Sequence, residues 1–109
     1  MIARISTEAL RAKLSAQERV VLVEALGGGF FADAHLPGAI NVPASDVDRL
    51  APSLLPDIEA DIVVYCSRTC RSSQTVARRL QDLGYRHVVV YGGGKEEWVE
   101  QGYPVERDA

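Results

Sequence analysis

The chain has 109 residues, 47% of them hydrophobic and 25% charged, with a formal net charge of −3. That length suits one domain around a single core, apolar runs such as Val20 to Val23 fall far short of a bilayer span, and the acidic balance argues against a general nucleic-acid surface. Two cysteines four positions apart form neither a disulfide framework nor a paired zinc motif, so reactive thiols in a reducing compartment are expected.

The opening stretch, "MIARISTEALRAKLSAQERV", has an early charge and no continuous apolar segment before a cleavage site. It does not read as a secretory signal, and a cytoplasmic location is the expectation. Within it, "STEALRAKLSAQE" offers a Ser/Thr cap and sets Leu10 and Leu14 at helical spacing, predicting a helix, and "VVLVE" is then a short β-branched strand. In "HLPGAINVP" a Pro37-Gly38 turn leads into a strand over Ala39–Val42 that ends at Pro43, and "SDVDRLAPSL" predicts a short helix capped by Ser45. "DIVVYC" is the clearest buried strand. After a tight loop, Val76, Leu80 and Leu83 mark one helical face, with Gly84 as the stop. "HVVVYGGG" supplies another strand and a glycine turn, and "KEEWVEQGYP" a last helix ending at Gly102. This order predicts an α/β fold with a parallel-rich sheet covered by helices on both faces.

Ligands of such sheets collect beyond the carboxyl ends of the strands, which is where "DIVVYC" puts Cys66. If the next helix begins at Ser72 or Ser73, the amides of residues 67 to 72 curl into a nest and the helix N-terminus adds positive potential. That field, together with Arg71, is expected to depress the Cys66 thiol below its free value of about 8.5 and make it nucleophilic. Arg71 is poorly placed against the helix dipole, which favours a part in closing the loop or binding an anion over a merely solvated charge. Residues 66 to 80 hold Arg68, Arg71, Arg78 and Arg79 and no acid, so a small anion is attracted there.

The segments "VVLVEA", "FADAHLPGAINVP", "VVYCSRTCRS" and "VVVYGGGKEEWVEQGYPV" together resemble the rhodanese-like sulfurtransferases, and the resemblance covers nearly the whole chain. It implies one rhodanese-like domain over residues 1–109, with a central parallel-rich sheet of about five strands and helices on both faces. It also implies a catalytic, persulfide-carrying Cys66 and a substrate-binding loop of Ser67, Arg68, Thr69, Cys70, Arg71 and Ser72. Related cysteine phosphatases and arsenate reductases use a loop one residue longer. The four residues between Cys66 and Arg71 therefore imply sulfane sulfur rather than phosphate. The implied reaction moves sulfur from a small anionic donor such as thiosulfate to a thiol, to cyanide or to a protein acceptor, through covalent catalysis with no metal and no organic cofactor. Neither nucleic acid nor membrane is among the implied partners. Two other readings stand beside it: a low-activity persulfide carrier or protein-interaction module, and a cysteine phosphatase or arsenate reductase.

The chain departs from the family pattern in several places. Glu24-Ala25 stands where an Asp-Arg pair is common, and Phe30-Phe31 where Glu-Tyr or Glu-Phe is common. A remodelled, flexible "LGGGFF" loop at the site rim is expected, with Phe30 exposed or packed in place of a charge pair. Thr69 replaces a common Gly, which alters the amide nest. Cys70 is either a small loop residue or a thiol that resolves oxidation of Cys66. His35 is read as a hydrogen-bonded structural residue, His87 as a solvated strand end, and Trp98 as the packing of the last helix on the sheet. Gly92 to Gly94 lack the spacing of a phosphate-binding loop and read as a close-packed turn bordering the site. Glu96, Glu97 and Glu100 make a solvated face, and Arg78 or Arg79 is a candidate for steering an anionic donor.

Overall fold

Three β-branched runs build the centre of the molecule. The computed structural model describes residues 2–16, 19–67 and 71–107. Strands β2 (Val20–Glu24), β4 (Asp61–Tyr65) and β5 (His87–Tyr91) are the runs read from sequence; β1 (Ala3–Ile5) and β3 (Ile40–Asn41) flank them. All pair in parallel in the order β1-β5-β4-β2-β3, as expected of a chain that alternates strand and helix. Burial on both faces explains why Ile62 to Tyr65 is apolar without alternation.

The helices divide between the faces. On one side α3 (Val47–Leu54) and α4 (Ser72–Asp82) set Val47, Ala51, Val76, Ala77 and Leu80 against Val23, Val64 and Val90. On the other, α1 (Thr7–Ser15) and α5 (Gly94–Glu100) bring Leu10 and Trp98 onto Leu22, Val63, Tyr65 and Tyr91. Trp98 is fully buried, meets Tyr91 edge-on, and donates its indole N–H to the Pro104 carbonyl at 2.7 Å. Such a ring buries a large apolar area only where its one polar atom finds a partner. Among the described residues no helix is long and apolar enough to cross a membrane.

Four local expectations are corrected. A first strand, β1, precedes the helix with which the reading began. The "LGGGFF" segment is not a loop but a short helix, α2 (Gly28–Asp33), closed by the amides of Phe30 and Phe31 on the Gly27 carbonyl. Ser45 does not cap α3: it lies in a 3-10 turn, Ala44–Asp46, and the helix starts without a side-chain cap. Leu83 is 39% exposed just past the end of α4, and Ala77 takes its expected place in the core. Ser6 does cap α1 by accepting from the Ala9 amide at 3.1 Å, and Gly84 takes the left-handed φ of 104° that ends α4.

Candidate active site

One register row runs across the C-terminal edge of the sheet: Ile5, Tyr91, Tyr65, Glu24 and Asn41 lie side by side on five parallel strands. Neighbours in such a row point to the same face, and the residue after each points to the other. Tyr65 therefore belongs with the α1/α5 side, while Cys66, the next residue, turns toward α4 and joins that core.

Cys66 is 1% exposed. Its Sγ lies 3.4 Å from the Ser73 hydroxyl in the first turn of α4 and 3.4 Å from the Ser67 carbonyl, two alternative acceptors for its single proton in the thiol form. The Lys95 amide donates to the Cys66 carbonyl at 3.0 Å, so the start of α5 fixes the Cys66 backbone. Gly94 at φ 69° makes that approach possible, because the turn from β5 into α5 needs a left-handed residue there. Helix α4 opens at Ser72, as predicted, with the amides of Gln74 and Thr75 closing on the Arg71 carbonyl. No acid stands in its first turn, which leaves the dipole's positive end near the sulfur unopposed by a side-chain anion.

The structure brings Cys66, Ser67, Arg71 and Ser72 to this strand end, with Arg71 exposed at the far side of the loop. Arg68, Thr69 and Cys70, and with them the readings of the amide nest and of the second thiol, lie outside the described residues. Arg79 is engaged with Asp48 through two bonds, Nε at 2.6 Å and Nη2 at 2.8 Å, and this contact holds the Asp48 carboxyl below its usual range. Arg78 is exposed and shares a cleft of about 210 Å³ with Arg4 and Gln74. His35 is buried with Nδ1 2.8 Å from the Phe31 carbonyl, the structural part read for it. His87 sits at the solvated start of β5, 3.5 Å from Glu59.

Sequence reasoning missed Ser73 and a buried polar cluster beneath the site. Glu24 is fully buried; its Oε1 accepts from the Tyr65 hydroxyl at 2.9 Å and lies 3.0 Å from the Lys95 ammonium. The ammonium also donates to the Phe30 carbonyl at 2.9 Å, which ties α2 to the same cluster. The charge pair absent from positions 24–25 is thus rebuilt between β2 and α5. The signal was a lysine in the first turn of a helix, where the dipole disfavours a cation unless an acid receives it.

Burial, followed by the neighbouring Glu24 carboxylate, pushes the Tyr65 phenol well above its usual 10.0. The protonated phenol's contribution to stability is therefore fully present below pH 10.0 and is lost as pH climbs from there through the raised folded value. Tyr65→Phe is expected to remove that alkaline component from urea unfolding curves. At neutral pH it should cost about 2 kcal/mol, since both the Leu36 amide and Glu24 lose a buried partner. A flat alkaline profile in the parent protein would contradict it.

The rhodanese-like domain model matches residues 6–101. The chain is 31% identical over 107 residues to a sulfurtransferase of Allochromatium vinosum, covering 96% of this chain and 95% of that protein. It is 36% identical over 62 residues to the thiosulfate sulfurtransferase PspE of Escherichia coli, covering 57% of this chain and 59% of that protein. Among solved structures, a thiosulfate sulfurtransferase from Pseudomonas aeruginosa superposes with a TM-score of 0.87 at 30% identity over 99% of this chain, which spans only 20% of that longer protein. The human single-domain sulfurtransferase TSTD1 superposes with a TM-score of 0.78 at 25% identity, covering 93% of this chain and 98% of that one. A parallel sheet with a cysteine at the end of its central strand defines the class, and the chain belongs to the rhodanese-like sulfurtransferase family.

Proposed function

We propose that Cys66 carries sulfane sulfur from thiosulfate or a similar small anion to a thiophilic acceptor. The observation that supports this most is the setting of its Sγ, at the carboxyl end of β4, 3.4 Å from the Ser73 hydroxyl and against the start of α4. In the first step the Cys66 thiolate attacks the outer sulfur of thiosulfate. A sulfur–sulfur bond forms to Sγ, the bond inside thiosulfate breaks, and sulfite leaves with its electron pair. In the second, the cyanide carbon attacks the outer sulfur, thiocyanate leaves, and the thiolate is restored. Two easier displacements replace one direct transfer.

Ser73 changes its part along this cycle, donating its hydroxyl proton to the sulfur once the thiol has ionised. The α4 dipole acts in the same direction, and Arg71 at the loop's end draws the anionic donor in. Burial of Cys66 at 1% exposure favours a small donor, and the short span from Cys66 to Arg71 suits one sulfur better than a phosphate group.

Steady-state turnover of thiosulfate and cyanide should yield thiocyanate. Phosphate release from p-nitrophenyl phosphate without thiocyanate would instead favour a phosphatase. Ser73→Ala is expected to slow sulfur loading by about ten- to a hundredfold and to move its pH profile upward, because one donor to the anion is lost. An unchanged profile would show that Ser73 does not touch the reacting thiolate.

A further inference from the structure

Arg49, Arg79 and Arg86 each meet a carboxylate, and Arg11 lies over the Tyr103 ring. Arg4 and Arg78 have no such partner: among the described residues no acid reaches ion-pair distance of either. Yet both line one cleft of about 210 Å³, together with Gln74, Ile2 and Val90. The fold gathers them there. Arg4 stands on β1 level with Val90 of β5, which packs in the core on the α4 side, and neighbours in such a row share a face. Gln74 and Arg78 are four apart on α4 and so lie one above the other. The Arg4 guanidinium reaches over Gly92, where Nη1 stands 2.8 Å from the place a Cβ would take, so a residue without a side chain makes room for it. Glu97 shares a neighbouring hollow with Arg4 and makes no ion pair with it. Two like charges gathered in one cleft without an acid repel each other, and an anion between them relieves that repulsion.

We propose that Arg4, Arg78 and Gln74 form a binding site for a tetrahedral oxyanion group, either a free ion such as phosphate or the phosphoryl end of a small molecule. The site is separate from the loop at Cys66: β5 lies between β1 and the strand that leads to Cys66, which sets the two about 10 Å apart across the sheet. Each planar guanidinium offers paired N–H donors that match two oxygens of such an anion, and the Gln74 carboxamide adds another donor. Together the two cations balance a dianion. The cleft is smaller than the roughly 300–1,000 Å³ of sites that enclose a whole organic ligand, so the charged group alone fits inside. Two cations on a chain of net charge −3 do not make a track for a polyanion. Bound there, the anion bridges the three-residue edge strand β1 to α4 and stabilises the folded chain by its affinity.

Titration with inorganic phosphate at an ionic strength held constant with chloride, followed by NMR, tests this without reference to sulfur transfer. The Nε–H signals of Arg4 and Arg78 and the methyls of Ile2 and Val90 should shift together and saturate. Arg78→Gln should weaken that binding by about tenfold or more, since charge-assisted bonds to the ion are lost. Arg71→Gln, altered at the Cys66 loop, should bind at the cleft as the parent does. Both residues are exposed, so neither replacement disturbs the core. The rise in melting temperature with phosphate should likewise be lost in Arg78→Gln and kept in Arg71→Gln. Phenylphosphonate, which has no ester bond to hydrolyse, separates the two sources. Tighter binding than phosphate assigns an organic phosphate and equal or weaker binding a free ion, and both uphold the site. No saturating response at Arg4 and Arg78, a response confined to Arg71, or an Arg78→Gln protein that binds as the parent does overturns the proposal.

Discussion

Lys95→Met is expected to lower the unfolding free energy by about 3–5 kcal/mol, the loss that follows when one partner of a buried ion pair is removed and the other charge stays behind. Glu24 is fully buried and Lys95 only 15% exposed, so water cannot take over the ammonium's role. Oε2 of Glu24 is already without a hydrogen-bond donor among the described residues, which leaves the carboxylate little reserve. Urea unfolding measures the effect. The double variant Glu24→Gln, Lys95→Met should recover most of the loss, because a neutral amide costs far less to bury than an unpaired carboxylate. A loss below about 1 kcal/mol in the single variant would mean that the pair contributes no more than a surface contact. The same variant should slow sulfur loading, since the amide of residue 95 holds the Cys66 carbonyl and the start of α5 would shift with the side chain.

Cys66→Ala is expected to reduce thiocyanate formation on the order of a thousandfold or more, because no other described group near the loop can form the covalent intermediate. Cys70→Ala is expected to retain turnover under reducing conditions. Loss of activity in the Cys70 variant with activity kept in the Cys66 variant would reverse the roles of the two thiols. Far-ultraviolet circular dichroism of both variants separates chemistry from folding, since Cys66 is part of the core beside Val64 and Val76.

Much of this arrangement was legible in the sequence, and the reasons differ by element. Strands β2, β4 and β5 are mainly apolar runs rich in β-branched residues, and burial on both faces is what makes such runs. Strand β1 is three residues long with a central arginine, too short for any period to show, and it exists because β5 offers an edge to pair with. Helix α2 has glycines and aromatics in place of helix formers; the bond from Lys95 to the Phe30 carbonyl holds it, a contact that no local pattern encodes. Cys66 could be placed because strand, loop and helix follow one another directly. Glu24, Tyr65 and Lys95 could not, because their meeting depends on the register of β2 with β4 and on where α5 begins.

Intact mass and peptide mapping after incubation with thiosulfate address the role of Cys66 most directly. The peptide holding Cys66 should gain one sulfur atom, and cyanide should remove it with release of one thiocyanate per sulfur. A protein whose mass does not change, or whose added sulfur sits on Cys70 with Cys66 unmodified, would contradict the role given to Cys66.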